Sequence, residues 1–267
     1  MTETEPASPW GERSLPASRE TSRLTVGPVT LWIRTLRNEI RVASHHRDDG
    51  PLPEDGAPPE EADWSRWAFQ DGEEHTLRLS PALPDRMLVV KMEQPFTLLS
   101  RAEARIYMRV GAWIRVEAVG AGESYTLTEI PTERLSDTWW GDFLGGETAY
   151  WLTTKARREL TDDLFEPWRV MCVLQLANGS RDDLPVEKLG LRVDHLSVFE
   201  SGDRLWAEET VVAYRGEDEG SDIRMDDRPP AEADDAREIT AARIQSRGFR
   251  VRTFSRLKAL SPFGFGG

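Results

Sequence analysis

Over much of the chain, polar and apolar side chains alternate at nearly every second residue. Val29-Thr30-Leu31-Trp32-Ile33-Arg34-Thr35-Leu36 changes type at almost each step, and Ile40 and Val42 resume the rhythm after Arg37-Asn38-Glu39. Successive side chains of a strand point to opposite faces, so this rhythm in β-branched and aromatic residues predicts a strand with one wet face. Residues 24–46 read as a hairpin. Residues 47–62, RDDGPLPEDGAPPEEA, follow as an acidic, proline-rich loop.

From Trp64 onward the pattern predicts short strands in quick succession: Trp64–Phe69, His75–Leu79, Met87–Met92, Phe96–Leu99, Arg105–Val110, Trp113–Val119 and Tyr125–Thr128. Asp71-Gly72, Pro95 and Gly120–Gly122 punctuate them. Two prolines within Ser80–Arg86 predict a rigid crossing between sheets. Lys155–Leu164 has room for one short helix. Trp168–Asn178, WRVMCVLQLAN, is the most apolar run and predicts the central strand. Val186–Phe199 and Arg204–Tyr214 read as two more strands, joined through Ser201-Gly202-Asp203.

Short strands separated by turn signals predict a mainly β protein, an antiparallel β-sandwich of one body or of two halves, 23–130 and 147–230. Residues 1–22 are expected to form a disordered tail in which Trp10 stands out, and 23–230 the sandwich domain. Residues 231–267 read as an acidic linker and a basic amphipathic C-terminal segment. There Phe254, Leu257 and Leu260 recur at three-residue spacing, which predicts a short helix.

Composition narrows the function. With 34 basic and 47 acidic residues the net charge is −13, which repels nucleic-acid phosphates and argues against nucleic-acid binding. Only Lys91, Lys155, Lys188 and Lys258 are lysines. No apolar run reaches the roughly 18 residues a membrane span needs, and the first twenty residues lack the apolar core of a secretory signal. Cys172 stands alone, so no intrachain disulfide forms, and a cytoplasmic home is expected. The chain has no phosphate-cradling Gly-x-x-x-x-Gly-Lys-Ser/Thr run, no dinucleotide Gly-x-Gly-x-x-Gly and no zinc-type His-Glu-x-x-His, so no cofactor is expected. His45 and His46 beside Asp48 and Asp49 suggest a metal only weakly, because adjacent strand residues diverge. His195 and Cys172 read as packed strand residues.

The richest chemistry lies in Leu135–Thr154, LSDTWWGDFLGGETAYWLTT. Trp139, Trp140, Asp137 and Asp142 are the candidate ligand-binding residues. Two carboxylates across an aromatic cleft are how many sugar-processing sites are built. However, Asp137 and Asp142 also stand where short acceptors close turns. If Trp139 and Trp140 are extended they point opposite ways, leaving one indole as a binding handle, whereas Trp113, Trp151, Trp168 and Trp206 are expected in the core. From Ile239 the chain carries six basic and no acidic residues, and Arg250, Arg252, Phe254 and Arg256 are the candidate partner-binding residues. The expected function is a cytoplasmic, non-enzymatic module that contacts a protein partner or the membrane-surface face of one. The alternatives are a carbohydrate- or small-ligand-binding β domain and, behind it, a hydrolase at the same cleft. No catalytic residue is assigned.

The succession Leu79-Ser80-Pro81-Ala82-Leu83-Pro84-Asp85-Arg86, Leu135-Ser136-Asp137-Thr138-Trp139-Trp140-Gly141-Asp142, Tyr150-Trp151-Leu152 and Asn178-Gly179-Ser180 resembles an uncharacterised prokaryotic domain-of-unknown-function family. The resemblance, over about residues 24–230, implies an all-β fold. Some members are encoded near genes for small mechanosensitive channels. It carries no activity and no site residues.

Overall fold

The computed structural model describes residues 8–16, 18–36, 38–69, 75–120, 123–141, 145–216, 220–245 and 248–251. The first stretch forms β1 (Gly11–Arg13), β2 (Thr21–Val26), β3 (Val29–Leu36), β4 (Glu39–His46) and β5 (Ser65–Ala68). The next forms β6 (Thr76–Ala82), β7 (Leu88–Leu98), β8 (Glu103–Gly111), β9 (Trp113–Gly120) and β10 (Glu123–Pro131). Then come β11 (Ser136–Trp140), β12 (Glu147–Trp151), β13 (Arg169–Asn178), β14 (Leu184–Leu191), β15 (Val198–Ser201) and β16 (Arg204–Ala207). The last are β17 (Thr210–Gly216), β18 (Gly220–Met225), β19 (Arg237–Thr240) and β20 (Gly248–Val251). The protein is mainly β, as the alternation predicts.

These strands make four sheets. The antiparallel sheet β2-β3-β4-β5 shares an interior with the sheet β1-β6-β9-β10: Leu31, Ile33 and Val42 meet Leu79, Ile114 and Val116. The sheet β11-β12-β7-β14 shares a second interior with the largest sheet, β19-β15-β16-β13-β17-β18-β20, in which β8 takes the other side of β13. Leu88, Val90, Leu189 and Leu191 there meet Ile106, Met108, Cys172 and Leu174.

β13 is buried on both faces. Val170, Cys172, Leu174 and Leu176 face the shared interior, while Met171 and Val173 pack with Tyr107, Leu164, Phe199 and Trp206 on the other side. This accounts for its unbroken apolar run, since a strand covered on both faces has no wet face to alternate with. Its parallel partners β16 and β17 and the parallel pairing of β12 with β7 make two sheets mixed.

Several expectations are corrected. The segment read as a tail contains β1, which pairs with β6. Trp10 packs against both interiors and donates its indole N–H to the Pro167 carbonyl at 2.9 Å. Trp168 lies on the turn at Gly27, where φ is +56° and a Cβ would come within 2.5 Å of the ring. Met87–Met92 and Phe96–Leu99 merge into the single strand β7. Val186–Phe199 is broken by the 3-10 turn Val193–His195, and Arg204–Tyr214 by Glu208 and Glu209. Lys155–Leu164 forms no α-helix: Ala156 and Arg157 make β-bridges, and only Asp162–Leu164 winds into a 3-10 turn.

The expected C-terminal helical segment is not supported. Gly248–Val251 is a strand that pairs with β18 from Ser221 to Arg224, because that edge offers backbone partners a helix would leave unused. Residues 252–267, which carry the three-residue spacing, lie outside the described residues.

One ribbon joins the layers. Tyr150 and Trp151 pair in parallel with Leu88 and Val89 of β7. Further on, the Ala156 amide donates to the Lys91 carbonyl at 2.9 Å, and Arg157 exchanges two backbone bonds with Tyr107 of β8, at 2.8 and 2.9 Å. The stretch from Glu147 to Arg157 thus pairs with a strand of each sheet.

Candidate functional site

β11 and β12 form an antiparallel hairpin at one edge of the sheet β11-β12-β7-β14, in the register Asp137↔Tyr150 and Trp139↔Thr148. Alternation puts Asp137 and Trp139 on one face with Tyr150, and Trp140 on the other with Ala149 and Trp151. The two indoles therefore separate. Trp139 is 53% exposed and Trp140 is 7% exposed. Trp140 packs with Met87, Val89 and Ala149. It is seated in a notch made by Gly190, where a Cβ would meet Trp140 Cε2 at 2.9 Å and Met87 Sδ at 3.1 Å. Lys188 lies over the Trp140 ring at 6.0 Å and Lys91 over the Trp151 ring at 5.2 Å.

The Asp137 carboxylate meets Arg86 at 3.3 Å. The Arg86 guanidinium lies 5.0 Å over the Tyr150 ring, and the Tyr150 hydroxyl donates to Asp85 at 3.0 Å. Burial, and then the hydrogen bond to Asp85, push the Tyr150 phenol up from its ordinary range. Beyond Tyr150, Trp113 packs at 6.3 Å, and Arg243 lies 5.4 Å over the Trp113 ring. Arg243 also donates to the Leu83 carbonyl at 2.8 Å and pairs with Glu129 at 2.7 Å, where Arg115 pairs too. Burial works against the Glu129 charge, but the two arginines hold its carboxyl below the usual range. The result is a ladder of stacked rings and cations from the hairpin to the end of β10. It orients side chains and presents surface. Among the described residues it sets no second carboxylate across from Asp137 beyond Asp85, which is taken by Tyr150.

The remaining candidates fall as follows. Asp142 lies outside the described residues, as do Arg252, Phe254 and Arg256. Arg250 stands on β20 opposite Asp222 in the register. His45 is within 3.0 Å of the Gly50 carbonyl and His46 within 3.0 Å of the Thr132 carbonyl, while the second His46 ring nitrogen accepts from the Asp48 amide. Asp49 takes both its bonds from Arg134, at 2.5 and 2.6 Å. These residues clip β4 to the segment after β10. Among the described residues no group of three or more His, Cys, Asp or Glu is placed to hold a metal. His195 sits in the 3-10 turn with Asp194 at 3.8 Å. Burial of Asp194 pushes its carboxyl up. Cys172 is fully buried, and burial pushes its thiol up, so it is a core residue. Trp206 is buried, while Trp113, Trp151 and Trp168 are half-buried.

Sequence reasoning missed Arg86 and Arg243. Arg86 was hidden in a proline-rich crossing, and Arg243 was counted with a basic segment that reads as surface. The signal available was their place beside aromatic residues, which becomes informative only once distant strands are brought together.

No helix among the described residues is long and apolar enough to cross a membrane. Compared with curated proteins and with solved structures, the chain matches none. A family model does match, over residues 9–258, and so extends past both ends of the stretch that carries the resemblance. On that match the chain belongs to the family described as protein of unknown function, DUF432.

Proposed function

We propose that the protein is a non-enzymatic interaction module of sandwich type, which takes an extended segment of a protein partner along the edge strand β11, with Trp139 as the anchor. The carrying observation is a contrast between edges. Among the described residues nothing pairs on the outer side of β11, and its sequence Ser-Asp-Thr-Trp-Trp has no proline, no bulge and no lysine. At the opposite edge of the same sheet, β14 has Pro185, a register shift between Val186 and Lys188, and two charged residues, Glu187 and Lys188. β10, an edge with the exposed Tyr125, is bulged between Thr126 and Thr128. Prolines, bulges and charges are how sheet edges avoid unwanted pairing. An edge with no proline or bulge, whose one charge, Asp137, is met by Arg86 and which bears an exposed indole, suits strand addition, in which main-chain bonds give affinity and side-chain pockets give specificity.

A saccharide held between two indoles is less well supported, because Trp139 and Trp140 lie on opposite faces. Hydrolysis is weaker still, since Asp137 is engaged by Arg86. The lone buried thiol is consistent with a cytoplasmic home, and the basic residues from Arg252 onward suit an acidic partner or the membrane-surface face of one. The test is co-purification from the native host with the full chain, with Trp139→Ser, with Thr138→Pro and with a truncation after Val251. A partner retained by the full chain and lost from both edge variants, each keeping its circular dichroism, is the expected outcome. Equal recovery with both variants overturns the reading. The truncation is placed after Val251 because Arg243 and β20 belong to the fold.

A further inference from the structure

Three of the chain's four lysines meet on one surface. Lys91 of β7 and Lys188 of β14 are direct cross-strand partners. Lys155 arrives on the other side of β7, just before Ala156, whose amide donates to the Lys91 carbonyl at 2.9 Å. Ala156 faces the interior with Met92, so alternation turns Lys155 outward. It turns Arg157 the same way, and Arg157 meets Glu93 at 3.0 Å. Lys155, Lys91 and Lys188 therefore cross three neighbouring lengths of backbone on the outer face of the sheet. Trp151 and Trp140 form the floor beneath two of them.

This row is out of character for the chain. Like charges opposite one another destabilise a sheet. The protein has 47 acidic residues with which to relieve them. Elsewhere it does so, as Arg86, Arg105, Arg115, Arg134 and Arg204 all meet carboxylates. Among the described residues, none of the three lysines has a carboxylate within ion-pair distance. Two acids that could reach them are taken elsewhere: Glu93 by Arg157, and Glu147 by Arg192. Where a long cationic side chain meets a carboxylate among the described residues, it is arginine, whose fork fits that plane. At this row it uses the compact ammonium group, which acts on an anion as a point charge.

We propose that the Lys155–Lys91–Lys188 row binds the phosphate of an organic phosphate or diphosphate. Strands stand about 4.8 Å apart, so the row spans roughly 10 Å, room for one or two phosphoryl groups. A phosphate monoester carries about −1.5 to −2 charges at neutral pH and matches a facing lysine pair better than a carboxylate does. The half-buried Trp151 ring beside Lys91 gives the organic part of the ligand an apolar surface. A soluble diphosphate and a lipid headgroup present the same chemistry. Its three lysines lie off β11, and the site does not rest on strand addition there.

The test titrates the full chain with inorganic pyrophosphate by calorimetry, while following indole emission. In parallel the chain is sedimented with phosphatidic acid vesicles and with neutral phosphatidylcholine vesicles. Saturable pyrophosphate binding is expected, weakened tenfold or more in Lys91→Gln/Lys188→Gln and weakened by salt. Lys188→Glu, which gives Lys91 a carboxylate to face, should also lose binding while its thermal midpoint holds or rises. Binding to phosphatidic acid vesicles alone, lost in the same variants, assigns the phosphate to a lipid headgroup. No binding to either probe, or binding that survives both variants, overturns the proposal.

Discussion

β13 and β11 are both strands of mixed sheets, and both lie near tryptophans, yet they do opposite work. Every β13 residue from Val170 to Leu174 is buried, and its two faces serve two separate apolar clusters. β11 has one buried residue, Trp140, and turns Trp139 toward solvent from an edge. Each fully buried large side chain contributes about 1.5–3 kcal/mol, so β13 concentrates stability and β11 holds little of it. The difference separates what folds the molecule from what it has available to present. Substitution in β13 should be read out as stability, and substitution at Asp137 or Trp139 as association.

The sharpest way to break that contrast is Leu174→Ala. It removes a buried side chain from the larger interior and should cost about 2–5 kcal/mol in chemical denaturation. A loss under 1 kcal/mol would mean that β13 is not the pillar described. Gly190→Val is next. Its new side chain would strike Trp140 and Met87, for about 1–3 kcal/mol and a changed Trp140 environment in near-ultraviolet dichroism. It tests whether the buried indole of the hairpin belongs with the core.

Smaller, and present at neutral pH but lost in acid, is the effect of Glu232→Gln. Glu232 takes two bonds from Arg105, each at 2.7 Å, and one from the Tyr107 hydroxyl at 2.7 Å, which fasten Ala231–Ala233 over the outer face of β8. Burial opposes its charge, but Arg105 and then Tyr107 hold its carboxyl below the ordinary 4.5. A depressed folded-state value means stability that is present above that range and lost as pH falls through the folded value. The variant should therefore be less stable at neutral pH and lose less between neutral pH and acid than the parent, as measured by thermal midpoints across pH. The smallest stability change is expected for Trp139→Ser, within about 0.5 kcal/mol. A larger loss would make Trp139 a packing residue and weaken its role as an anchor.

Much of this was legible in the sequence. Two-residue alternation located the hairpin of β3 and β4 and most of the strands from β6 to β10, and the unbroken run of β13 marked it as central. Adjacency at Trp139-Trp140 foretold one wet and one buried indole. Direction and partnership were not legible. Alternation reads the same in parallel and antiparallel strands, so the pairings of β13 with β16 and β17 left no trace. Breaks at Val193–His195 and at Glu208-Glu209 carry no proline or glycine of their own to announce them. Trp10 looked like part of a tail because it is flanked by Ser8, Pro9, Gly11 and Glu12, and its partner Pro167 is 157 residues away. The lysine row is invisible in sequence for the same reason: positions 91, 155 and 188 become neighbours only through the sheet.

The ribbon from Glu147 to Arg157 has a mechanical consequence. Because one length of backbone serves as a rung in two stacked layers, the outer hairpin is spliced to the strand that flanks β13. A load applied at the Trp139 edge passes through the hairpin and along that splice to β8. The part of the molecule exposed to a visitor is thus tied through its own backbone to the strand that flanks β13.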